Sequence, residues 1–271
     1  MQPVALTIAG VDPSGGAGIA ADLKTFHQHQ VYGASVITLL TVQNTQGVTA
    51  IQLVPTEFVD RQIDAVVSDL PVRAAKTGAM GSHEMIEALA RKARHFTFPL
   101  VVDPVMVSKH GHRLLDAEAE STLARQLIPM AFLVTPNRPE AEALTGRSIA
   151  SMNDVREVAS RIVDLGARAV LIKGGHFDNR DEAVDVLYYD NRFIEFRAKR
   201  SDAAHTHGTG CTLSAAIVAW LAIGVDLPVA VERAKHWLTR AINSAQPLGH
   251  GIGPVNHLEP LSDWSASAMT K

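Results

Sequence analysis

The chain has 271 residues, of which 46% are hydrophobic, 20% are charged and 5% are aromatic, so it has enough apolar material for a core and wholesale disorder is excluded. The charges nearly balance, with 25 Lys and Arg against 28 Asp and Glu. We therefore expect neither nucleic acid nor a membrane surface as a partner.

Short apolar runs alternate with helical patterns along the chain. They predict strands over 4–9, 35–42, 74–77, 100–102, 132–134 and 169–172. The intervening helices are predicted over 18–30, 56–69 with Thr56 as cap, from a cap at Ser82, and over 153–165. The pattern then changes to a hairpin, 184–189 and 193–196, followed by helices over 209–223 and 227–245. Residues after Pro260 are expected to fray.

The predicted strands are continuously apolar, which indicates a parallel sheet buried on both faces within one α/β domain, residues 1–271. Ligands of such sheets bind beyond the carboxyl ends of the strands. Polar residues and a glycine follow the strands at those ends: Asp12, Gln43, Asn44, Thr77, Gly78, Asp103, Asn137 and Lys173. We therefore expect the ligand site at this edge of the sheet.

A first glycine-rich loop, GVDPSGGAG, joins the first strand to the first helix at residues 10–18. It contains a G-x-G-x-x-A pattern, which is typical of dinucleotide-binding enzymes. Two features disfavour that class: six residues separate Ala9 from Gly16, and no acidic residue for a ribose lies between Asp22 and Glu57. A binding loop of another kind and a tight turn without a ligand stay open, and the glycine density favours the former.

A second glycine-rich loop, THGTGCT at residues 206–212, precedes the most apolar helix. Small residues at a helix start leave backbone amides accessible to an anion, such as a phosphoryl group in transfer. Cys211 falls in the first turn, where we expect a lowered thiol pKa and a role as proton acceptor. The alternative is a small, buried, inert cysteine.

Acidic and amide side chains follow the middle strands, and their chemistry suits magnesium bound together with phosphates. These are Asp103 and the pair Asn137 and Glu140, while Lys173 could reach a phosphate as a point charge. Each has a plain alternative, since Asn-x-x-Glu is also a helix cap and Lys173 could be solvated. Together they indicate magnesium-nucleotide chemistry.

The other cues concern histidine, cysteine and compartment. The pairs His205/His207 and His110/His112 have no cysteine or further histidine at zinc-site spacing, so we expect no structural zinc. We expect surface or packing roles for His27, His29, His250 and His257. The single cysteine, Cys211, excludes an internal disulfide and favours a reducing compartment. No charged leader opens the chain, and the apolar stretch 213–225 is too short to span a bilayer, so we expect a cytoplasmic protein.

Several motifs occur in an order that identifies a family: TIAGVDPSGGAGIAADLKTF, VYGASVITLLTVQNTQGV, VVDPVMVSKHG, TPNRPEAEAL, LIKGGH and THGTGCTLSAAI. Over residues 5–257 the chain resembles hydroxymethylpyrimidine/phosphomethylpyrimidine kinases of thiamine biosynthesis, members of the ribokinase-like superfamily. The resemblance implies a three-layer α/β/α fold with a mostly parallel central sheet flanked by helices, and a homodimer. It also implies phosphorylation of 4-amino-5-hydroxymethyl-2-methylpyrimidine, and then of its monophosphate, with ATP and Mg²⁺.

The resemblance also implies roles for individual residues. Gln43 is expected to hydrogen-bond the aminopyrimidine edge, for which a carboxamide offers a donor and an acceptor. The other expected substrate-binding residues are Gly10, Ala17, Asp22 and Val105. The anion hole is expected at Gly208, Thr209 and Gly210, with Cys211 as base. Asp103 and Glu140 are expected at the metal, and Asn137 and Lys173 at the nucleotide.

Some positions depart from the family pattern. Ala79 stands where a methionine is common, which widens the predicted pocket and leaves a pyridoxal kinase as the alternative function. His110-Gly111-His112 replaces a Ser-Gly-Asp flap, next to Lys109 in a loop expected to close over the site, and His205 replaces a common asparagine. A catalytically silent binder on the same fold would have lost anion-hole or magnesium positions, and this chain has kept them.

Overall fold

The computed structural model describes residues 2–107, 111, 113–174, 181–201 and 203–261. Within these ranges the strands form one nine-stranded sheet in the order β3-β2-β1-β4-β5-β6-β7-β8-β9. The strands are β1 Val4–Val11, β2 Tyr32–Asn44, β3 Gly47–Leu53, β4 Val72–Thr77, β5 Leu100–Val102, β6 Leu133–Val134, β7 Ala169–Ile172, β8 Glu182–Tyr189 and β9 Arg192–Lys199.

The helices flank this sheet. They are α1 Gly18–Gln28, α2 Thr56–Asp69, α3 His83–Ala93, α4 Ala117–Thr122, α5 Arg138–Thr145, α6 Met152–Asp164, α7 Thr209–Ile223 and α8 Leu227–Asn243. A π-helical turn, Leu123–Leu127, and a 3₁₀ turn, Ile128–Met130, follow α4. No helix in the described part of the chain combines the length and hydropathy that a membrane crossing requires.

The six central strands, β2, β1, β4, β5, β6 and β7, pair in parallel, whereas β3, β8 and β9 pair antiparallel at the two edges. β2 lies on one side of β1 and β4 lies on the other, so the direction in which strands are added to the sheet reverses at β1. This reversal of strand order opens a crevice beyond the carboxyl ends of β1 and β4, where α/β proteins bind ligands.

Alternate strand residues point to two separate cores, which makes the molecule three-layered. Leu6, Ala75 and Val102 pack in one core with α2, α3, α5 and α6. Their sequence neighbours, such as Ala5 and Ala74, pack in the other core with α1, α7 and α8. The fold predicted from the sequence, a mostly parallel sheet between helical layers, is therefore confirmed.

The structure also corrects local predictions. Pro55 is the N-cap of α2, and Thr56, as the first helical residue, makes no capping hydrogen bond. The Ser82 cap is confirmed, since its hydroxyl accepts from the Met85 amide at 3.3 Å. The helix predicted over 18–30 ends at Gln28, and the edge strand β3 was not predicted. The expected fraying of the chain end falls mostly on residues 262–271, outside the described ranges.

Candidate active site

A cavity of about 970 Å³ lies at the carboxyl ends of the parallel strands. All but one of the site residues predicted from the sequence line it: Gly10, Ala17, Gln43, Asp103, Val105, Asn137, Glu140, Lys173, Gly208, Thr209, Gly210 and Cys211. The exception is Asp22. The topology therefore brings together residues as far apart in the chain as Gly10 and Cys211.

Asp12 shapes the first glycine-rich loop from within. Its Oδ1 accepts from the amide and the hydroxyl of Ser14, at 2.9 and 2.6 Å, and its Oδ2 accepts from the Ala17 amide at 3.0 Å. Burial opposes the charge of this carboxyl, but its hydrogen bonds with His207 and Ser14 hold its pKa below the usual value. The turn closes tightly at Gly18, which has a φ of 55° and where a Cβ would lie 2.2 Å from the Gly10 oxygen.

The second glycine-rich loop ends in α7. Its N-cap, Gly208, has a φ of 78° and caps the helix without a side chain. A Cβ at Gly208 would lie 1.8 Å from the Gly16 oxygen, so the two glycine-rich loops touch backbone to backbone. No side chain caps α7, although the Thr209 amide makes a long hydrogen bond of 3.4 Å to the Thr206 oxygen. The start of the helix can therefore offer backbone amides to an anionic ligand in the cavity.

Cys211 lies in the first turn of α7 and lines the cavity, but the expected lowering of its pKa is wrong. Burial raises the pKa of the thiol to about 11, and the carboxylates of Asp22 and Asp103 add to the effect. The Lys76 ammonium and the Gly18 amide oppose this shift without cancelling it. Loss of water therefore outweighs the groups that stabilise the thiolate, and the thiol is protonated at neutral pH.

Asp22 lies behind the cavity rather than on its wall. It is fully buried, accepts from Thr7 Oγ1 at 2.6 Å and forms an ion pair with Lys76 Nζ at 2.7 Å. Lys76 Nζ also donates to the Cys211 carbonyl at 3.3 Å. Burial opposes the charge of Lys76, yet the nearby Asp22 carboxylate raises its pKa. The pair thus supports the start of α7 from below, a role that the sequence analysis missed for Lys76.

Two carboxylates converge on one ammonium in the part of the cavity lining next to Gly210. Lys173 Nζ lies 3.2 Å from Asp103 Oδ1 and 3.8 Å from Glu140 Oε2. Burial opposes ionisation of Asp103, but Lys173 and Lys76 hold its pKa below the usual value. Burial raises the pKa of Glu140 to about 7, although Lys173 works against the shift. This cluster therefore holds two carboxyl groups within 4 Å of one ammonium group.

Asn137 and Glu140 also form the helix cap that the sequence left open as an alternative. Asn137 Oδ1 accepts from the Glu140 amide at 2.9 Å, and Glu140 Oε2 accepts from the Asn137 amide at 2.8 Å. Among the described residues, no cluster of three or more His, Cys, Asp or Glu could hold a metal. Two carboxylates still suit Mg²⁺, which takes few protein ligands when phosphates and water complete its shell.

Gln43 lines the same cavity, as do the apolar residues Ala17, Val105 and Ala79. Its Nε2 is 3.3 Å from His207 Nε2, which is 2.8 Å from Asp12 Oδ2. His207 also lines the cavity, a position for which the sequence predicted no role. Lys109, His110 and His112 lie outside the described residues.

Comparison with known proteins places these features in a family. The profile of the family described as phosphomethylpyrimidine kinase matches residues 12–256. The hydroxymethylpyrimidine/phosphomethylpyrimidine kinase of Rhizobium meliloti is 49% identical over 260 residues, covering 95% of this chain and 97% of that protein. The thiamine biosynthesis bifunctional protein ThiED of Geobacter sulfurreducens is 51% identical over 95% of this chain, which spans only 53% of that longer protein.

Solved structures share the fold over nearly the whole chain. Phosphomethylpyrimidine kinase from Clostridium difficile 630 has a TM-score of 0.80 at 45% identity, covering 89% of this chain and 100% of that one. The ADP complex of Bacillus subtilis pyridoxal kinase has a TM-score of 0.89 at 37% identity, covering 96% and 98%. Staphylococcus aureus pyridoxal kinase with pyridoxal has a TM-score of 0.88 at 33% identity, covering 96% and 94%.

Proposed function

Because the chain belongs to the phosphomethylpyrimidine kinase family, we propose that it phosphorylates 4-amino-5-hydroxymethyl-2-methylpyrimidine and then its monophosphate, with ATP and Mg²⁺. One observation carries the proposal: a single cavity joins Gln43, the uncapped start of α7 and the charged cluster of Asp103, Glu140 and Lys173. These are a carboxamide for the ring, amides for the transferred group and charges for the nucleotide.

The part of the cavity around Gln43 suits a flat molecule with a polar edge. The Gln43 carboxamide offers both a donor and an acceptor to the aminopyrimidine edge. Ala17 and Val105 supply apolar walls for the ring faces. Asp22, which does not reach the cavity, acts in this proposal through Lys76 and the start of α7 rather than on the substrate.

The transfer itself depends on position and charge. The hydroxymethyl oxygen faces the terminal phosphorus of ATP in line, and the amides of Thr209, Gly210 and Cys211 receive the developing negative charge. Cys211 takes the hydroxyl proton, which it can do only as a thiolate. Most of the acceleration comes from alignment of the reactants, so the contribution of the base is modest.

The charged cluster of Asp103, Glu140 and Lys173 suits the metal and the nucleotide. Asp103 and Glu140 would hold Mg²⁺, because both carboxylates already converge on one cation, the Lys173 ammonium. When bound, the metal neutralises charge on the phosphates. Lys173 and Asn137 lie on the same wall and contact the nucleotide in this proposal. We place the activity in the cytoplasm, in keeping with the single free cysteine.

The first test measures ADP release by the purified protein with Mg-ATP. Parallel samples contain the hydroxymethylpyrimidine, its monophosphate, pyridoxal or no acceptor. Turnover with both pyrimidines and little with pyridoxal is the expected result. Silence with every acceptor, while ATP still binds, would overturn the kinase assignment in favour of a binding protein.

A pyridoxal kinase is the second candidate, and two observations favour it. The pyridoxal kinase structures superpose with TM-scores of 0.89 and 0.88. In addition, the small Ala79 lines the cavity. Turnover mainly with pyridoxal in the same assay would establish this function and assign the substrate preference to the wider wall.

A further inference from the structure

The carboxamide of Gln43 belongs to a hydrogen-bonded chain that begins at Asp12, and the inference drawn from it rests on the proposed function. His207 Nε2 lies 2.8 Å from Asp12 Oδ2 and 3.3 Å from Gln43 Nε2. On the other side, Thr41 Oγ1 lies 3.2 Å from Gln43 Oε1 and 3.0 Å from the Val11 oxygen. Gln43 is thus held between His207 and Thr41.

The proton on the His207 ring can be assigned from Asp12. An ionised carboxylate only accepts hydrogen bonds, so an imidazole nitrogen 2.8 Å from Asp12 Oδ2 must carry a proton. His207 Nε2 is therefore a donor. It cannot also accept from the NH₂ group of Gln43, and two donors facing each other would repel.

A half-turn of the carboxamide resolves the conflict. The oxygen and nitrogen of a Gln side chain exchange places on such a turn, and the hydrogen-bond partners decide between the two orientations. With Oε1 facing His207, the carboxamide shares the single Nε2–H proton with Asp12 Oδ2, as the longer arm of a bifurcated hydrogen bond. Its NH₂ group then donates to Thr41 Oγ1, and the Thr41 hydroxyl is free to donate to Val11. Every link in the chain now joins a donor to an acceptor.

This orientation has a consequence for the substrate. The remaining acceptor capacity of Gln43 lies on the His207 side, and its remaining N–H lies on the Thr41 side. An aminopyrimidine that pairs with both must place its 4-amino group toward His207 and its ring nitrogen toward Thr41. The 5-hydroxymethyl group is next to the 4-amino group and far from that nitrogen, so it turns toward the loop that contains Gly208. The reversed carboxamide would turn it away.

We propose that His207, held by Asp12, is a positioning residue that orients the Gln43 carboxamide, selects the aminopyrimidine edge and directs the hydroxymethyl group toward α7. The structure keeps the ring in place for this role. His207 is buried, with 3% of its surface exposed, and a Cβ at Gly16 would lie 2.5 Å from its Cδ2. The imidazole thus packs directly against the first glycine-rich loop.

The test compares His207→Leu with the conservative His207→Gln, each in the wild-type and Gln43→Ala backgrounds. The substrates are the hydroxymethylpyrimidine and its analogue without the amino group, 5-hydroxymethyl-2-methylpyrimidine. We expect His207→Leu to raise the KM for the aminopyrimidine about tenfold, and to lower the preference over the analogue by a similar factor, since one oriented hydrogen bond is lost. We expect the KM for ATP to stay within about twofold, and His207→Gln to recover most of the loss.

Once Gln43 is alanine, His207→Leu should have no further effect on the preference. Additive losses in that background, or an equal rise in the KM for ATP, would show a purely structural role and overturn the inference. His205→Asn is the matched control, because His205 Nδ1 accepts from the Gly253 amide outside this chain of bonds. If Gln43→Ala itself leaves the aminopyrimidine KM unchanged, the proposed function fails. If Gln43→Ala raises the aminopyrimidine KM but the His207 variants change neither that KM nor the preference, this inference alone fails.

Discussion

Cys211 combines a position suited to a base with a proton that is hard to remove. Since its pKa is about 11, the thiolate fraction grows with pH throughout the accessible range. We expect kcat at saturating Mg-ATP to rise with pH between about 7 and 9, by up to about tenfold per unit where proton removal limits the rate. Cys211→Ser should flatten this profile, because a serine hydroxyl does not ionise there.

The measurement is kcat across that range for the wild type, Cys211→Ser and Cys211→Ala. An unchanged slope in both variants would assign the rise to another group and remove the base role from Cys211. We expect Cys211→Ala to lose about 100-fold at the upper end of the range, toward the low end of what a general base contributes.

At the residue scale, the sequence predicted the chemical groups of the site better than their environment. Strand ends and glycine patterns placed Gln43, Asp103 and Lys173 at one edge, and the cavity contains them. The sequence could not show that Asp22 turns inward to Lys76, since helix and strand positions do not reveal a pairing 54 residues apart. The same limit hid the contact of His207 with Asp12, and burial reversed the expected pKa shift of Cys211.

The two ends of α7 offer a matched pair of glycines at the scale of one element. Gly208 and Gly224 both have left-handed backbones, with φ of 78° and 97°, but a Cβ meets the Gly16 oxygen at 1.8 Å at the first and nothing within 4 Å at the second. We expect Gly208→Ala to separate the glycine-rich loops and lower kcat/KM by at least about 100-fold. Gly224→Ala should cost about 1–2 kcal/mol of stability and leave the kinetics unchanged.

Thermal unfolding and steady-state kinetics of both variants check this pair. Equal kinetic losses would mean that α7 stability, rather than loop contact, sets the activity.

The packing of α1 against α7 and α8 includes a buried histidine, which predicts a loss of stability in acid. His29 Nδ1 is 2.8 Å from the Thr25 oxygen, and the ring meets Trp220 and Trp237 edge to face. Burial lowers the pKa of His29 to about 4. The unfolded chain therefore binds the proton more tightly, so stability is full above about pH 6.5 and falls as the pH drops toward 4.

From pH 7 to pH 5 this histidine should cost about 2 kcal/mol of unfolding free energy. His29→Phe should reduce the pH dependence of urea unfolding by that amount. His27→Gln, at an exposed position in the last turn of α1, should not. Identical slopes for wild type and His29→Phe would contradict the argument. His257, whose pKa burial also lowers to about 4, adds a separate contribution.

Elements were predicted well where one physical signal dominated. The bounds of α7 and β7 follow from unbroken apolar runs between glycines or polar residues, and they match the prediction. β3 was missed because it is a largely exposed edge strand without a strong apolar pattern. The cap of α2 was misassigned to Thr56, since Pro55 starts the helix through its own carbonyl, which accepts from Val59 N.

At the scale of the whole molecule, one face of β2 exposes apolar side chains to solvent. Leu40 and Val42 on this face are 46% and 62% exposed. They occupy alternate positions and so point to the same side. We propose that this face joins two copies in the expected homodimer. Leu40→Asp combined with Val42→Asp should halve the mass measured by sedimentation. Leu258→Asp, at an 84% exposed position elsewhere, should not. A monomeric wild type would contradict the proposal.

The division of the cores between early and late parts of the chain sets an order on biosynthesis. α7 and α8 come after residue 208, yet they cover the face of strands made long before, including Ala5, Ala74 and Val101. A ribosome adding about 5–20 residues per second leaves that face bare for seconds. The same late segment delivers the anion-binding turn. A chain that ends before this segment therefore lacks activity and exposes an apolar sheet face, which makes it a target for chaperones and proteases.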